Sequence, residues 1–276
     1  MLVWSSWLSS QLVGEQPQYF RISAQMNSQT SAIRRQLVAA FLGTLAVALL
    51  SSCSTAPPSS QPSPPAPGAS QETAGLEKIY ADLGKAGGKV YALNPKSSAI
   101  RIYVFRAGAS ARFGHNHVLS APDFTGFVYV PDSGLSGARF DLEFRLDQLE
   151  VDNPAYRSNL GQAFSTPVPR DAAQATRENM LGENNLQAAR FPWARIHSVR
   201  VAGEAPKLAA RVQVELHGQT REMDVPLTVE GLPQSISVSG SLVLRQSDFG
   251  VRTYSILGGA LAVQNEIVID FKLAGG

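Results

Sequence analysis

Charged and apolar residues alternate without interruption over residues 139–145 (Arg-Phe-Asp-Leu-Glu-Phe-Arg), and this pattern constrains the fold of the chain most. Successive side chains of a β-strand point to opposite faces, so the alternation predicts a strand with one buried face. The same period of two recurs over 211–216, 236–244 and 267–273, and more weakly over 100–105, 124–130, 195–201 and 223–229. Many short strands separated by turn signals predict an all-β domain, an antiparallel sandwich or barrel.

The alternation also assigns side chains to the two faces of each strand. The residues predicted to point inward include Phe140, Leu142, Phe144, Val214, Leu242 and Leu244. Asp141 and Glu143 alternate with the first three and Asp147 follows them, so these carboxylates are predicted to lie on a solvent-exposed face rather than to form a catalytic pair. Pro226 has no backbone N–H, which predicts that its strand is an edge strand or carries a bulge.

One helix is predicted before the strands. Residues 72–85 place Leu76, Ile79, Tyr80 and Leu83 on one face, and two glycines follow at 87 and 88. A single apolar stripe suits packing on the domain or contact with a partner, and packing is the interpretation we favour.

A second helix is predicted inside the segment 153–190, where the alternation stops. Asp171 can cap a helix that runs to about Met180, with Gly182 as its left-handed end. A helical insertion of this kind between strands typically lies across a barrel mouth or along a sheet edge.

Cys53 is the only cysteine, and the residues before it have the features of an export signal. Arg34 and Arg35 precede an apolar stretch over 37–50, and Leu50-Ser51-Ser52-Cys53 resembles the lipobox of bacterial lipoproteins. The apolar stretch is shorter than the ~20 residues of a membrane-spanning helix. We therefore expect residues 1–52 to be an upstream extension and a signal peptide, with Met26 as the true start, and the mature protein to begin at a lipidated Cys53.

The residues after Cys53 predict a tether and a neutral domain. Residues 54–69 are sixteen uncharged residues rich in Ser and Pro, and such a segment cannot form a core. We therefore divide the rest of the chain into a tether (53–71), a helix (72–88) and a barrel domain (89–276). Three of the 24 basic and one of the 22 acidic residues precede Cys53, so the remainder is formally neutral and has no electrostatic footprint for nucleic acid. A lipid anchor implies the cell envelope and a domain that faces the periplasm, and the non-acidic Ser54 favours the outer membrane over the inner one.

Four short motifs in chain order resemble those of YceI-like proteins. They are Tyr91-Ala92-Leu93-Asn94-Pro95, Ala189-Arg190-Phe191-Pro192, Leu216-His217-Gly218-Gln219-Thr220 and Arg245-Gln246-Ser247-Asp248-Phe249-Gly250. The resemblance covers 91–273 and implies an extended lipocalin-like antiparallel β-barrel. It also implies that the barrel holds a polyisoprenoid chain, such as a quinone tail, in its interior.

Two features depart from the family pattern where a ligand entrance is expected. The segment 153–180 looks longer than usual, and Phe113-Gly114-His115-Asn116-His117 is more polar than the corresponding turn of many members. His115 and His117 could chelate Zn²⁺ or Cu²⁺ with a third ligand from His197 or a remote carboxylate, or they could form a turn that bonds local backbone. Two ligands define no site, so neither a metal nor a cofactor is predicted. His217 is expected at positive φ, because it precedes glycine in a hairpin turn.

No catalytic residue is predicted, because the sequence contains no Gly-x-Ser-x-Gly nucleophile elbow and no phosphate-binding loop. Three functions remain open: a tethered lipid-binding lipoprotein, an interaction or assembly lipoprotein with a filled barrel, and a metal-dependent enzyme at His115 and His117. We expect the first, with an isoprenoid-type lipid or a quinone as ligand. The candidate ligand-binding residues are Phe113, His115, Asn116, His117, Phe140, Leu142, Phe144, Val214, Leu242 and Leu244.

Overall fold

The structure is a computed structural model that describes residues 69–276, with side chains from Gly75 onward. The predicted signal, the lipidated Cys53 and the tether up to residue 68 lie outside these residues. The helices are α1 (Ala69–Lys85), α2 (Pro154–Arg157) and α3 (Arg170–Leu181). The strands are β1 (Lys89–Ala92), β2 (Ala99–Ala107), β3 (His117–Ser120), β4 (Thr125–Val130), β5 (Arg139–Arg145), β6 (Glu150–Val151), β7 (Trp193–Glu204), β8 (Lys207–Leu216), β9 (Gln219–Glu230), β10 (Ile236–Arg245), β11 (Ser255–Ile256) and β12 (Leu261–Gly275).

The strands form one antiparallel sheet in the order β1-β4-β5-β7-β8-β9-β10-β12-β2-β3-β6, and β11 pairs with β12 beside this path. The sheet curls on itself, because Leu93 bridges to Gly275 and the Asn94 N–H donates to the Ala274 carbonyl at 2.8 Å. Every segment predicted from alternation lies within a strand, except that β4 begins at Thr125 and leaves out Phe124. The all-β barrel with a helical insertion is therefore confirmed.

The core lies on the concave face of the sheet, where alternate residues of each strand meet. In β8 every second residue is buried, namely Leu208, Ala210, Val212, Val214 and Leu216. The residues between them face outward. Arg211, for example, makes two hydrogen bonds to Asp224 of β9, at 3.0 and 2.6 Å. The period of two in the sequence thus separates the interior of the barrel from its surface.

Strand β5 has the predicted alternation, but the prediction of a solvated carboxylate face is wrong. Asp141 accepts a hydrogen bond from the Tyr80 hydroxyl at 2.7 Å and lies 2.6 Å from Nδ1 of His197. Glu143 is only 4% exposed, and its Oε2 lies 3.4 Å from Nε of Arg195. The outer face of β5 is covered because Tyr80 of α1 reaches Asp141, and because side chains of the neighbouring strand β7 lie against Asp141 and Glu143.

Helix α1 packs on the barrel, as predicted. Tyr80 is 1% exposed and stacks on Phe127 of β4 with ring centroids 5.2 Å apart. Burial and the hydrogen bond to Asp141 raise the pKa of the Tyr80 phenol. The helix ends before Gly88, which has φ of 79° and whose added Cβ would lie 2.5 Å from the Val130 carbonyl oxygen. Within residues 69–276, no helix combines the length and the hydropathy of a membrane span.

Three local predictions are wrong. Helix α3 begins at Arg170 after Pro169, so Asp171 lies in its first turn rather than at its cap, and Gly182 ends it with an extended backbone (φ −73°, ψ 172°). Strand β9, which contains Pro226, lies between β8 and β10 in the sheet and is not an edge strand. Proline is tolerated there because pairing with β10 begins one residue later, at Leu227.

The positive φ predicted for His217 is confirmed, at 53°.

Candidate ligand-binding cavity

The barrel encloses a cavity of about 500 Å³, a volume in the range of small-molecule sites. Its wall is almost entirely aliphatic and comes from alternate residues of the long strands. Typical wall residues are Ile102, Val128, Val212, Val225, Val238 and Ile269. An interior with this much space is not filled by its own side chains, which distinguishes it from the filled barrel considered above.

Seven of the ten candidate ligand-binding residues line the cavity. They are His117, Phe140, Leu142, Phe144, Val214, Leu242 and Leu244. Each of the six apolar members lies at an inward position of β5, β8 or β10, which is where the alternation in the sequence placed it. The structure thus brings residues that are up to 127 positions apart in the chain onto one wall.

Phe113, His115 and Asn116 lie outside the cavity lining. Phe113 is 69% exposed. The Asn116 side chain accepts from the Arg106 N–H at 3.0 Å and donates to the Ala163 carbonyl at 3.0 Å, so its amide holds β2 and the insertion together. Burial, together with the neighbouring His117 and Arg157, lowers the pKa of His115.

The helical insertion covers part of the cavity. Ala172, Ala175, Thr176, Asn179 and Met180 of α3 all line it. The guanidinium of Arg177 donates to the Asp147 carbonyl, which ties α3 to the segment after β5. The insertion was predicted to lie across a barrel mouth or along a sheet edge, and in the structure its helix α3 forms part of the cavity wall.

A buried polar network attaches the insertion to β3. Asp152, at φ 53°, accepts hydrogen bonds from the Val118 N–H at 3.0 Å and from Nη1 of Arg157 at 2.5 Å. Its other oxygen lies 2.6 Å from Nδ1 of His117. The Asp152 side chain is fully buried and that of Arg157 is 7% exposed. Burial opposes ionisation of Asp152, but the hydrogen bonds from His117 and from the Val118 N–H and the charge of Arg157 outweigh it and hold its pKa below the ordinary value.

Arg157 completes this network with three further hydrogen bonds to backbone carbonyls. It donates to Asn116 at 2.8 Å and to Phe164 and Thr166 at 2.9 Å. Sequence reasoning missed both Asp152 and Arg157. The only local signal was an aspartate directly before Asn153-Pro154, a helix start, and nothing there indicates the contact with His117.

The two histidines do not form a metal site with a third ligand in the part of the chain that the structure describes. Their ring centroids lie 6.4 Å apart, and Nδ1 of His117 is bonded to Asp152. His197 is on the outer face with Asp141. Among the described residues, no three His, Cys, Asp or Glu side chains lie close enough together to hold a metal ion.

Comparison with known proteins places the chain in one family. A family model described as YceI-like domain matches residues 91–274. The crystal structure of BcnA from Burkholderia cenocepacia is 14% identical, with a TM-score of 0.51, and the alignment covers 67% of this chain and 99% of BcnA. A Campylobacter jejuni YceI protein is 12% identical with a TM-score of 0.42, over 57% of this chain and 84% of that one. No curated protein matches. The likeness to BcnA shows the fold, an extended lipocalin-like barrel.

Proposed function

This chain belongs to the YceI-like family of polyisoprenoid-binding barrels, and we propose that it is a periplasm-facing lipoprotein that holds an apolar, isoprenoid-type ligand in its barrel. Members of this family are binding proteins rather than enzymes. The observation that carries the proposal is the apolar cavity of about 500 Å³ inside the sheet.

The wall of the cavity supplies the driving force for such a ligand. Each CH₂ group transferred from water to an apolar surface contributes about 0.8 kcal/mol. Micromolar binding needs about 8 kcal/mol, so roughly ten buried methylene equivalents supply it before the cost of ordering the chain. An isoprenoid tail provides these groups and contains no polar atoms. Polar atoms would find no hydrogen-bond partner among the aliphatic residues along β8 and β10.

The anchoring of the domain rests on sequence alone. The lipobox-like Leu50-Ser51-Ser52-Cys53, the short apolar stretch before it and the uncharged tether after it support a lipidated Cys53. A lipid on Cys53 would hold the barrel near a bilayer, where isoprenoid lipids and quinones are found. We propose the outer membrane as that bilayer.

The first experiment is to identify what the protein carries and what length of chain it prefers. Mass spectrometry of an organic extract of purified protein is expected to show an isoprenoid lipid. Delipidated protein is expected to bind longer isoprenoids more tightly than short ones, until the cavity is full. An empty extract together with no binding at any chain length would refute the proposal.

A pair of variants on β10 tests whether the cavity is the binding site. Leu242→Trp fills space, because Leu242 lines the cavity, whereas Val243→Trp places the same large side chain at a residue that is 60% exposed on the other face. Displacing two or three methylene groups is expected to weaken binding by about tenfold or more in Leu242→Trp. Val243→Trp is expected to bind as the wild type does. Equal binding by both variants would place the ligand elsewhere.

A further inference from the structure

Polar side chains are few in the cavity wall, and several of them already have hydrogen-bond partners in the fold. The Asn185 amide donates to the Arg252 carbonyl at 2.8 Å, and the Gln246 amide donates to the Gln264 carbonyl at 2.9 Å. The Thr176 hydroxyl donates to the Ala172 carbonyl within α3. The hydrogen bonds of these side chains go to backbone carbonyls around the cavity, so these side chains do not define a ligand site by themselves.

His117 differs from them because the structure fixes one of its ring nitrogens and leaves the other free. Nδ1 lies 2.6 Å from Oδ2 of Asp152. An ionised carboxylate only accepts hydrogen bonds, so Nδ1 carries the proton and donates it. Nε2 has no hydrogen-bond partner among the described residues, and the side chain, 15% exposed, lines the cavity.

The partners of Asp152 hold this imidazole in place. The carboxylate is fixed by the Val118 N–H and by Arg157, and Arg157 is itself fixed by the carbonyls of Asn116, Phe164 and Thr166. A carboxylate that binds one ring nitrogen sets the tautomer and the orientation of a histidine for work at the other nitrogen.

We propose that Nε2 of His117 accepts a hydrogen bond from a hydroxyl group of the bound ligand, so the ligand class is a hydroxyl-bearing isoprenoid, an alcohol or a phenol. The inference rests on the proposed function and makes it more specific.

The reason is the lone pair on Nε2. In the neutral imidazole with a proton on Nδ1, Nε2 is an acceptor. A ligand without a donor would cover this nitrogen and leave it unsatisfied, and sites built to bind a hydroxyl reject analogues that lack one. His115 makes no such contact, since it lies outside the cavity lining.

The test compares three ligands of equal chain length: farnesol, its methyl ether and the corresponding hydrocarbon. Binding is measured by calorimetry to delipidated full-chain protein at about pH 8, above the range in which imidazole ordinarily titrates. One neutral hydrogen bond predicts that farnesol binds roughly three- to tenfold more tightly than the ether, which keeps the oxygen but cannot donate. Equal affinity for the alcohol and the ether would overturn the inference and leave the proposed function standing. Binding of none of the three would overturn both.

Two asparagine variants assign the effect to one nitrogen. In His117→Asn the amide N–H can replace the Nδ1 donor to Asp152, but nothing replaces Nε2. The preference for farnesol over the ether is expected to vanish in this variant and to persist in the matched control His115→Asn. Hydrocarbon affinity is expected to stay unchanged in both, which shows that the barrel is intact. A farnesol preference that survives in His117→Asn would overturn the assignment, as would a wild type without any preference.

Discussion

Replacing Asp152 by Asn removes one charge from a buried ion pair, and we expect a large loss of stability at neutral pH. The carboxylate accepts hydrogen bonds from Val118, His117 and Arg157, and no part of its side chain is exposed. Asparagine keeps one acceptor oxygen but leaves the Arg157 cation buried without a counter-charge. Breaking a buried pair in this way costs about 3–5 kcal/mol. We therefore expect Asp152→Asn to lower the free energy of unfolding by about that amount near pH 7.

The loss should depend on pH in a defined direction. The pKa of Asp152 in the folded protein lies below its ordinary value, because the contacts with His117 and Arg157 outweigh the effect of burial. A group of this kind stabilises the fold above the unfolded pKa of about 3.9, and the contribution is lost as the pH falls through the folded value. The difference between wild type and Asp152→Asn is thus expected to be largest near neutral pH and to shrink below about pH 4.

Urea unfolding followed by circular dichroism and by Trp193 fluorescence measures this difference across the pH range. The matched control is Asp224→Asn, which removes a carboxylate that also pairs with an arginine, Arg211 at 2.6 Å, but on the exposed outer face of β8 and β9. The control is expected to lose much less stability, because solvent screens an exposed pair. A loss below about 1 kcal/mol for Asp152→Asn near pH 7, or a difference that does not shrink in acid, would contradict the reasoning.

Three further predictions test other parts of the molecule. Phe144→Ala is expected to lower the free energy of unfolding by less than the ~3–5 kcal/mol of a close-packed site, because Phe144 lines the cavity. Urea unfolding measures this loss. Tyr80→Phe removes the hydrogen bond to Asp141 and is expected to cost about 1 kcal/mol and to speed proteolysis within α1. Cys53→Ser is expected to release the protein from the membrane fraction or to leave it unprocessed; a membrane-bound product of processed size would refute the lipid anchor.

The long strands were predictable because their signal is local. A period of two over 139–145 or 211–216 needs no knowledge of the partner strand, and it correctly placed Phe140, Leu142 and Phe144 on the inner wall. The short strands were not predictable. Strands β6 and β11 have two residues each, and they are strands only because β3 and β12 lie beside them.

The polar part of the site was predicted only in part, because it depends on contacts distant in the sequence. His115 and His117 would share a face if both belonged to a strand, but β3 begins at His117, so only one of them lines the cavity. The partners that matter, Asp152 and Arg157, lie 35 and 40 residues further along the chain. Their positive-φ turn and short helix carry no pattern that indicates a histidine opposite them.

The contact between α1 and the outer face of β5 limits the distance that the proposed anchor can span. Charged residues on a strand face are usually solvated, yet Asp141 of β5 accepts a hydrogen bond from Tyr80 of α1. Helix α1 is therefore a fixed part of the barrel rather than a continuation of the tether. If Cys53 carries the lipid, only the fifteen residues 54–68 separate it from this fixed helix. Fully extended at ~3.1 Å per residue, they allow roughly 45 Å between the bilayer and α1.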